Sequence, residues 1–452
     1  MKKKMVLLGA GSAMFTQGLV LDLIKNPGKY TWELVLVDID EDVLTSMVKL
    51  VKKMIEAKQA DHIEVWGTSN RCEAFPGTDY IVSTIGVGGR RAWEQDVYIP
   101  RKYGIFQPVG DTAMPGGISR AMRMIPAMLD IVDDAIKLCP SARFFNYSNP
   151  MAMICRAIYK ARNYPLTGLC IGVPASEWEI ADLCGFERDK FTAISVGVNH
   201  LSFIYKMYYN GEDAKPILNK KLDEIYTGDF DSTTLDKFYE QKEDIVKLGD
   251  PFAWSFYKTM GALPAPGDRH ISEFITEHFP AGAYYGKTLG IDAYSFESTI
   301  KFGDDIHKTM MDAANAPGPL GDEYFEHAHG EQELLMEIIN AIETDSRKVY
   351  SVNLPNRGAV SNLPYDAVLE MPAVATADGF CPIQIRDFPD TLAAYIHRAL
   401  NIFELSVEAA LSGNRSQLVE SILMGGYISD RQAVFNMTEE LLMAQKDYLP
   451  QF

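Results

Sequence analysis

The stretch Met5-Val-Leu-Leu8-Gly9-Ala10-Gly11-Ser12 is a short apolar run that ends in a G-x-G turn. Leu19, Leu21, Leu23 and Ile24 follow at helical spacing, closed by Pro27-Gly28, and Trp32-Glu-Leu-Val-Leu-Val37 is a second apolar run ending at Asp38. Strand, glycine turn, helix and strand make one β-α-β unit, and the alternation goes on. Leu44, Met47, Val48, Val51 and Met54 mark a helix. Further strands read at Ile63-Glu-Val-Trp66, at Tyr80-Ile-Val-Ser-Thr-Ile85 before Gly86-Val-Gly-Gly89, and at Ala142-Arg-Phe-Phe145 before Asn146-Tyr-Ser-Asn-Pro150. Near-continuous apolar strands between amphipathic helices predict a parallel sheet covered on both faces. The expected fold class is α/β, with an N-terminal Rossmann-type parallel sheet and a mixed, largely helical second part.

Within that frame Gly9 and Gly11 stand where a tight strand-to-helix turn needs them, and they let the backbone approach a pyrophosphate held by the next helix N-terminus. The third glycine of the usual pattern is replaced by Met14. Asp38 closes the second strand, where a carboxylate accepts bonds from the adenosine ribose hydroxyls and repels a 2′-phosphate, so NAD is favoured over NADP. Asp40 is the competing acid. The expected cofactor contacts are Gly9, Gly11, Ser12, Asp38 and Gly86.

The remaining composition narrows the class. The chain has 452 residues, 47% hydrophobic and 23% charged, which suits a globular protein of two or more units. A net charge of −18 without a basic stretch argues against a nucleic-acid partner. No apolar run approaches the ~20 residues of a membrane span, and the N-terminal apolar stretch is too short for a signal peptide. Six scattered cysteines without framework spacing suit a reducing cytoplasm.

Two strings then carry chemistry: Gly168-Leu-Cys170-Ile-Gly-Val-Pro174 and Gly197-Val-Asn-His200. Each sits at the end of a run that reads as a buried strand. Buried cysteine and histidine are often inert, but a thiolate and an imidazole beyond a dinucleotide unit also make a soft metal pair. After His200 the pattern changes to a strand-like run at 201–208, a polar region to about Asp250, Gly- and Pro-rich segments, and helices at about 328–343, 390–412 and 430–446. The expected division is a dinucleotide unit over 1–200 and a substrate-binding and oligomerisation unit over 201–452.

Taken together, several blocks resemble the NAD- and divalent-metal-dependent glycoside hydrolases of family 4: Gly9-Ala-Gly-Ser12, Gly110-Asp-Thr-Ala-Met-Pro-Gly-Gly117 with Arg120 and Arg123, Asn146-Tyr-Ser-Asn-Pro150, Cys170, Asn199-His200 and Val352-Asn-Leu-Pro-Asn-Arg-Gly358. The resemblance implies a fold similar to lactate and malate dehydrogenases. It also implies a route unlike the two-carboxylate scheme: bound NAD+ takes hydride from sugar C3, a base removes the C2 proton, a divalent metal, most often Mn2+, stabilises the enediolate, the C1 group leaves, water adds and the hydride returns. Cys170 and His200 match the metal ligands, and the sugar oxygens can fill open positions. Asn149 matches a substrate contact. Arg120 and Arg123 either meet substrate or pair with acids. The base is expected to be a tyrosine, Tyr257 or alternatively Tyr285. Asp268 can serve as acid, base or support to the metal ligands, and Arg269 can clamp an anionic sugar group. A dimer or tetramer is the family's habit.

Ile171-Gly-Val-Pro174 departs from the family's two usual patterns after the cysteine, a histidine for unphosphorylated α-glycosides and Asn or Asp then Pro for 6-phosphoglycosides. Ile171 neither donates to a hydroxyl nor binds phosphate, and Gly172 suggests a close backbone approach or a larger substrate group. The expected substrate is an unphosphorylated glycoside; the Asp268-Arg-His270 loop is compatible with a uronic acid or other anionic sugar, and a neutral hexoside stays open. A 6-phosphoglycosidase and a 2-hydroxy-acid dehydrogenase on the same scaffold are the alternatives.

Overall fold

The computed structural model describes residues 1–225, 249–327 and 334–452. Most of the expected polar region before Asp250, and the start of the helix expected at 328–343, lie outside the described residues. Strands β1 (Lys2–Leu8), β2 (Thr31–Val37), β3 (Ile63–Thr68), β4 (Tyr80–Ser83), β5 (Arg143–Asn146) and β6 (Leu166–Gly168) are parallel, in the spatial order 3-2-1-4-5-6 of dinucleotide-binding sheets. Their inner residues, such as Val6, Val35, Ile81 and Phe144, are buried, as a sheet covered on both faces requires.

The helices that cover it follow from local chemistry. Helix Glu41–Ala57 is capped by Asp40, whose carboxylate accepts from the N–H groups of Asp42 and Val43. Its buried stripe of Leu44, Met47, Leu50, Val51 and Met54 is the amphipathic pattern read in the sequence. Met47 is wholly buried, so Met47→Ala should lower stability by about 2–5 kcal/mol in a denaturation experiment. Helix Met114–Leu138 runs through the centre, and the long helix Asp390–Ser412 packs against it and against helix Met151–Arg162.

Beyond β6 the sheet turns antiparallel. Strands β7 (Phe191–Val198), β8 (Leu201–Tyr209), β9 (Glu212–Asp213), β10 (Leu263–Ala265), β11 (Ala283–Tyr284), β12 (Lys287–Thr288), β13 (Val349–Pro355), β14 (Val368–Thr376) and β15 (Gly379–Pro382) complete the set. The order continues β6-β13-β14-β7-β8-β10, with β15 on β14 and β9 on β8, making one 13-stranded sheet, while β11 and β12 pair separately. The late helices appear as Leu335–Glu343, Asp390–Ser412 and Arg431–Ala444. The second part is mixed, as expected, but β13 and β14 were not read as strands. In β14, buried almost throughout and interrupted by Glu370 and Pro372, there is no period-two alternation; β13 does alternate over Tyr350-Ser-Val-Asn-Leu354, a strand signal that was passed over.

One row crosses this junction: Gly168 of β6 pairs Asn353 of β13, Asn353 pairs Glu370 of β14, and Glu370 pairs Gly197 of β7. A Cβ at Gly168 would lie 2.8 Å from Asn353 Cβ, and one at Gly197 would lie 2.1 Å from the Leu201 carbonyl oxygen. Both glycines are therefore set by close approach, and they lead directly into Cys170 and His200.

Candidate active site

At the dinucleotide end, Gly9 has φ +82° and turns the chain so that its N–H and that of Ala10 donate to the Val37 carbonyl, at 2.9 and 3.1 Å. The Gly11 N–H donates to Asp38 Oδ2 at 2.7 Å, and a Cβ at Gly11 would fall 2.6 Å from Val43 Cγ1. This is a backbone cradle that side chains would fill. Ser12 Oγ accepts from the Phe15 N–H at 3.4 Å inside the turn. Helix Thr16–Lys25 starts after it with no side-chain cap, so Met14 sits in the loop and the third glycine is not needed for helix packing. Asp40 is spent as a helix cap, which separates it from Asp38. Gly86, after β4, is 3.4 Å (by its would-be Cβ) from Arg120 Nη2.

The arginines part company. Arg123 is buried in a two-point ion pair with Asp96, at 2.9 and 2.5 Å, and its Nε donates to the Val87 carbonyl. Arg120 points to the other group of residues, donating from Nε to the Asn149 carbonyl at 3.1 Å. That carbonyl belongs to a cis Asn149-Pro150 bond after β5.

Four loops meet there. Asn149 Nδ2 donates to Asp111 Oδ2 at 3.0 Å, Thr112 Oγ1 donates to Asp111 Oδ1 at 2.7 Å, and Thr112 Oγ1 lies 2.9 Å from His200 Nδ1. His200 occupies the two-residue turn between β7 and β8 with φ +70°, a conformation histidine tolerates better than most residues. Burial lowers its pKa, against the pull of Asp111, and so favours the neutral ring a metal needs. The His270 ring stands 4.3 Å away between centroids and is likewise held low by burial and by His200. Burial alone would raise Asp111, but His200, Arg120 and His270 outweigh it and hold the carboxyl below its ordinary value. Asn149 Oδ1 and both polar atoms of Asn199 are buried without a partner among the described residues, sites that water or a ligand would satisfy.

Cys170, two residues past β6, is half-buried, and its Sγ accepts from the Gly172 N–H at 3.3 Å. A Cβ on Gly172 would lie 2.8 Å from Pro266 and 3.4 Å from Cys170 Sγ. The glycine therefore answers a close approach of Pro266. From Pro266 the chain passes in four residues to His270, so one short loop touches the surroundings of both Cys170 and His200. Among the described residues no three or more His, Cys, Asp or Glu side chains converge on a metal position. The Cys170–His200 pair offers two donors, and a metal there would need oxygens from substrate or water.

Arg269 sits beside this group with Nη2 donating to Thr299 Oγ1 at 3.0 Å and Nε buried without a partner. Asp268 is fully buried: Oδ1 accepts from the Ala253 N–H, and Oδ2 from the Phe252 N–H and the Tyr284 hydroxyl. Burial and Asp250 push it up to about 8. Both oxygens serve to anchor helix Pro251–Met260 to the loop, a positioning geometry. The Tyr257 hydroxyl, on that helix, donates to Asn219 Oδ1 at 3.0 Å, and burial pushes it up to about 12. It is 2% exposed and makes no recorded contact, among the described residues, with Asp111 or His200. Tyr285, the alternative, has φ +47° and its ring packs 4.8 Å from Tyr284.

Sequence reasoning passed over Asp111, Thr112 and Glu273. The first two lie inside the quoted 110–117 block, so the signal was present without a role. Glu273 had none: its Oε1 accepts from the Val109 and Gly110 N–H groups at 2.8 and 2.7 Å, fastening the loop that carries Asp111.

An α-galactosidase of Rhizobium meliloti is 28% identical across 99% of this chain and 89% of its own length. An α-galacturonidase of Thermoanaerobacter italicus is 26% identical across 99% and 97%. The 6-phospho-β-glucosidase of Thermotoga maritima, solved with manganese, NAD+ and glucose-6-phosphate, is 23% identical over 99% of both chains with a TM-score of 0.80. Malate dehydrogenase of Cryptosporidium parvum shares the fold at 14% identity, over 91% of this chain and 100% of its own, with a TM-score of 0.52. The expected likeness to that dehydrogenase fold is thus present. Among the described residues no helix is long and apolar enough to cross a membrane. The profile of the family 4 glycosyl hydrolases matches residues 4–185 and that of their C-terminal domain residues 195–425, and the chain belongs to this family of glycoside hydrolases.

Proposed function

We propose that this chain is an NAD- and divalent-metal-dependent glycosidase acting on an unphosphorylated glycoside, with a uronide and a neutral hexoside as the candidate sugars. The observation that carries the reading is the Asn149–Asp111–Thr112–His200 chain of contacts. Thr112 engages His200 Nδ1, which orients the ring and leaves Nε2 for a ligand. His200 and Cys170 would hold the metal, and Gly9, Gly11, Ser12, Asp38 and Gly86 the dinucleotide. When bound, NAD+ supplies a hydride acceptor for C3 of the sugar, and the metal, Mn2+ by preference, a Lewis acid for the neighbouring oxygens. Asn149 Oδ1 is placed to accept from a sugar hydroxyl. Arg269, whose Nη2 donates to Thr299 and whose Nε has no partner among the described residues, offers a fork to a carboxylate.

The proton at C2 needs an acceptor. Tyr257 stays in this reading as a proposal, although its raised pKa and its bond to Asn219 weigh against it. Tyr257→Phe decides: turnover close to wild type removes it as base. Asp268 acts by fixing the loop that carries Arg269 and His270. The sugar's anionic group is the feature that separates a uronide from a 6-phosphoglycoside, and Arg269 suits either anion. We further propose a cytoplasmic homodimer or homotetramer with the unit division near residue 200, and a sedimentation mass of one subunit would overturn the assembly.

The test is a panel of 4-nitrophenyl α- and β-glycosides, including galacturonides, glucuronides, neutral hexosides and 6-phosphates, assayed with NAD+ and Mn2+ each omitted in turn. Cleavage of a uronide or a neutral hexoside that requires both is expected. Cleavage surviving the loss of both overturns the mechanism, net NADH accumulation points to a dehydrogenase, and activity confined to 6-phosphates overturns the sugar.

A further inference from the structure

Helix Phe296–Asn315 comes from the second half of the chain yet is tied to the two helices that follow the turns after β2 and after β4. On one side Asn315 Nδ2 donates to Ser46 Oγ, Lys49 Nζ donates to Asn315 Oδ1 at 3.2 Å, and Lys53 Nζ donates to the Ala313 carbonyl at 2.9 Å, which fastens it to helix Glu41–Ala57. On the other side Asp304 accepts from Arg90 Nε at 2.5 Å and Arg91 Nη2 at 2.6 Å, at the start of helix Gly89–Lys102. A Cβ on Gly303 would lie 3.1 Å from Arg90 Cδ, so the helix sits close on that arginine. The two bracing points lie along the helix that leaves the turn after β2 and at the start of the helix that leaves the turn after β4, turns that border the dinucleotide crevice in such a sheet.

His307 is one helical turn beyond Asp304, hence on the same face. It is part-buried, and Asp38, Asp40, Arg90 and Asp304 are all near enough to act on its ring. Between the two acids Ile39 is 93% exposed, an apolar side chain left without protein cover beside the carboxylate assigned to the ribose. A flat, part-apolar ligand with hydroxyl groups fits that combination, with Ile39 offering apolar contact, Asp38 accepting hydroxyls and an imidazole able to donate, accept or stack.

We propose that His307 is a binding residue for the adenosine half of the dinucleotide, and that helix Phe296–Asn315 forms the outer wall of that half of the site. Asp304 adds selectivity. By holding Arg90 and Arg91 it keeps two guanidinium groups from a 2′-phosphate and so reinforces the preference that Asp38 sets. The inference rests on the assignment of Asp38 to the ribose, and the experiment separates the two.

The experiment is calorimetric titration of the full chain, without glycoside or metal, using ADP-ribose and NAD+ as probes. His307→Ala should weaken both by the same factor, roughly fivefold to tenfold, the loss of one good contact. His307→Gln, which keeps a donor and an acceptor, should recover part of it. Asp304→Asn should raise the affinity for NADP+ relative to NAD+. Unchanged ADP-ribose affinity in both His307 variants, with a loss in Asp38→Ala, overturns the role of His307 alone. Weaker NAD+ with unchanged ADP-ribose places the contact at the nicotinamide half and overturns it too. Unchanged affinity in Asp38→Ala overturns the ribose assignment and the inference with it.

Discussion

Replacing Glu273 with glutamine should make the protein more stable as the pH rises, relative to wild type. Glu273 is 2% exposed, and burial pushes its pKa up from 4.5 to about 8, even though two backbone N–H groups donate to it. Between those values the unfolded chain gives up this proton while the folded chain keeps it, so the folded state binds more protons and loses stability as pH increases. The slope is about 1.4 kcal/mol per pH unit, and the whole window amounts to at most about 5 kcal/mol. Below pH 4.5 both states are protonated and the effect vanishes.

Glutamine keeps Oε1, which accepts both N–H bonds, and cannot ionise. Any fixed cost of the new amide is the same at every pH, so the slope carries the test. A chain of 452 residues has an unfolding entropy near 1 kcal/mol per degree at ~2 cal/mol/K per residue, so 1 kcal/mol moves the melting point by about 1 °C. The melting temperature of Glu273→Gln minus that of wild type, read by calorimetry at pH 5, 6, 7 and 8, should climb by roughly 3–4 °C across the series. A difference that is flat or falls with pH refutes the account of Glu273 as a carboxyl kept protonated under the 109–112 loop. Glu273→Ala strands two buried donors and should cost about 2–5 kcal/mol at any pH.

Cys170→Ser and His200→Ala should each reduce metal-dependent turnover by at least about a hundredfold while NAD+ titration stays near wild type; full activity in either removes it from the metal site. Arg269→Ala should lower kcat/KM on an anionic glycoside by about tenfold or more and leave a neutral one within about twofold, and equal losses on both would deny the carboxylate contact. Gly11→Ala places a methyl 2.6 Å from Val43 Cγ1 and 3.0 Å from Asp38 Oδ2, so it should weaken NAD+ binding by about tenfold or more, and an unchanged binding curve would show that the turn yields.

Local signals carried a large share of this protein. Apolar runs, glycine turns and helical stripes are set by neighbours in the chain, and they located the parallel sheet, the Gly9–Gly11 turn with Asp38, and the helices Asp390–Ser412 and Arg431–Ala444. The block around Asp111 and the Cys170 and His200 strings were also legible, because their residue types and order are distinctive. Asp38 was already preferred over Asp40, and the fold agrees in one respect by using Asp40 as a helix cap; Arg120 and Arg123 were left open, and only the fold separates them, with a buried carboxylate beside Arg123.

The same holds for Tyr257 and Asp268, which sequence put forward for chemistry and the structure surrounds with Asn219 and with the start of a helix. Strand β14 escaped notice because burial on both faces erases alternation, whereas the alternation of β13 over 350–354 was legible and overlooked. Glu273 escaped because its partners lie 163 and 164 residues away. By itself, then, the sequence determined the sheet's parallel half, the family likeness and the residue types able to hold a metal and a dinucleotide, all encoded within a few residues. Only the tertiary structure decided which carboxylates, arginines and histidines face one another, because that depends on burial and on loops brought together from distant parts of the chain.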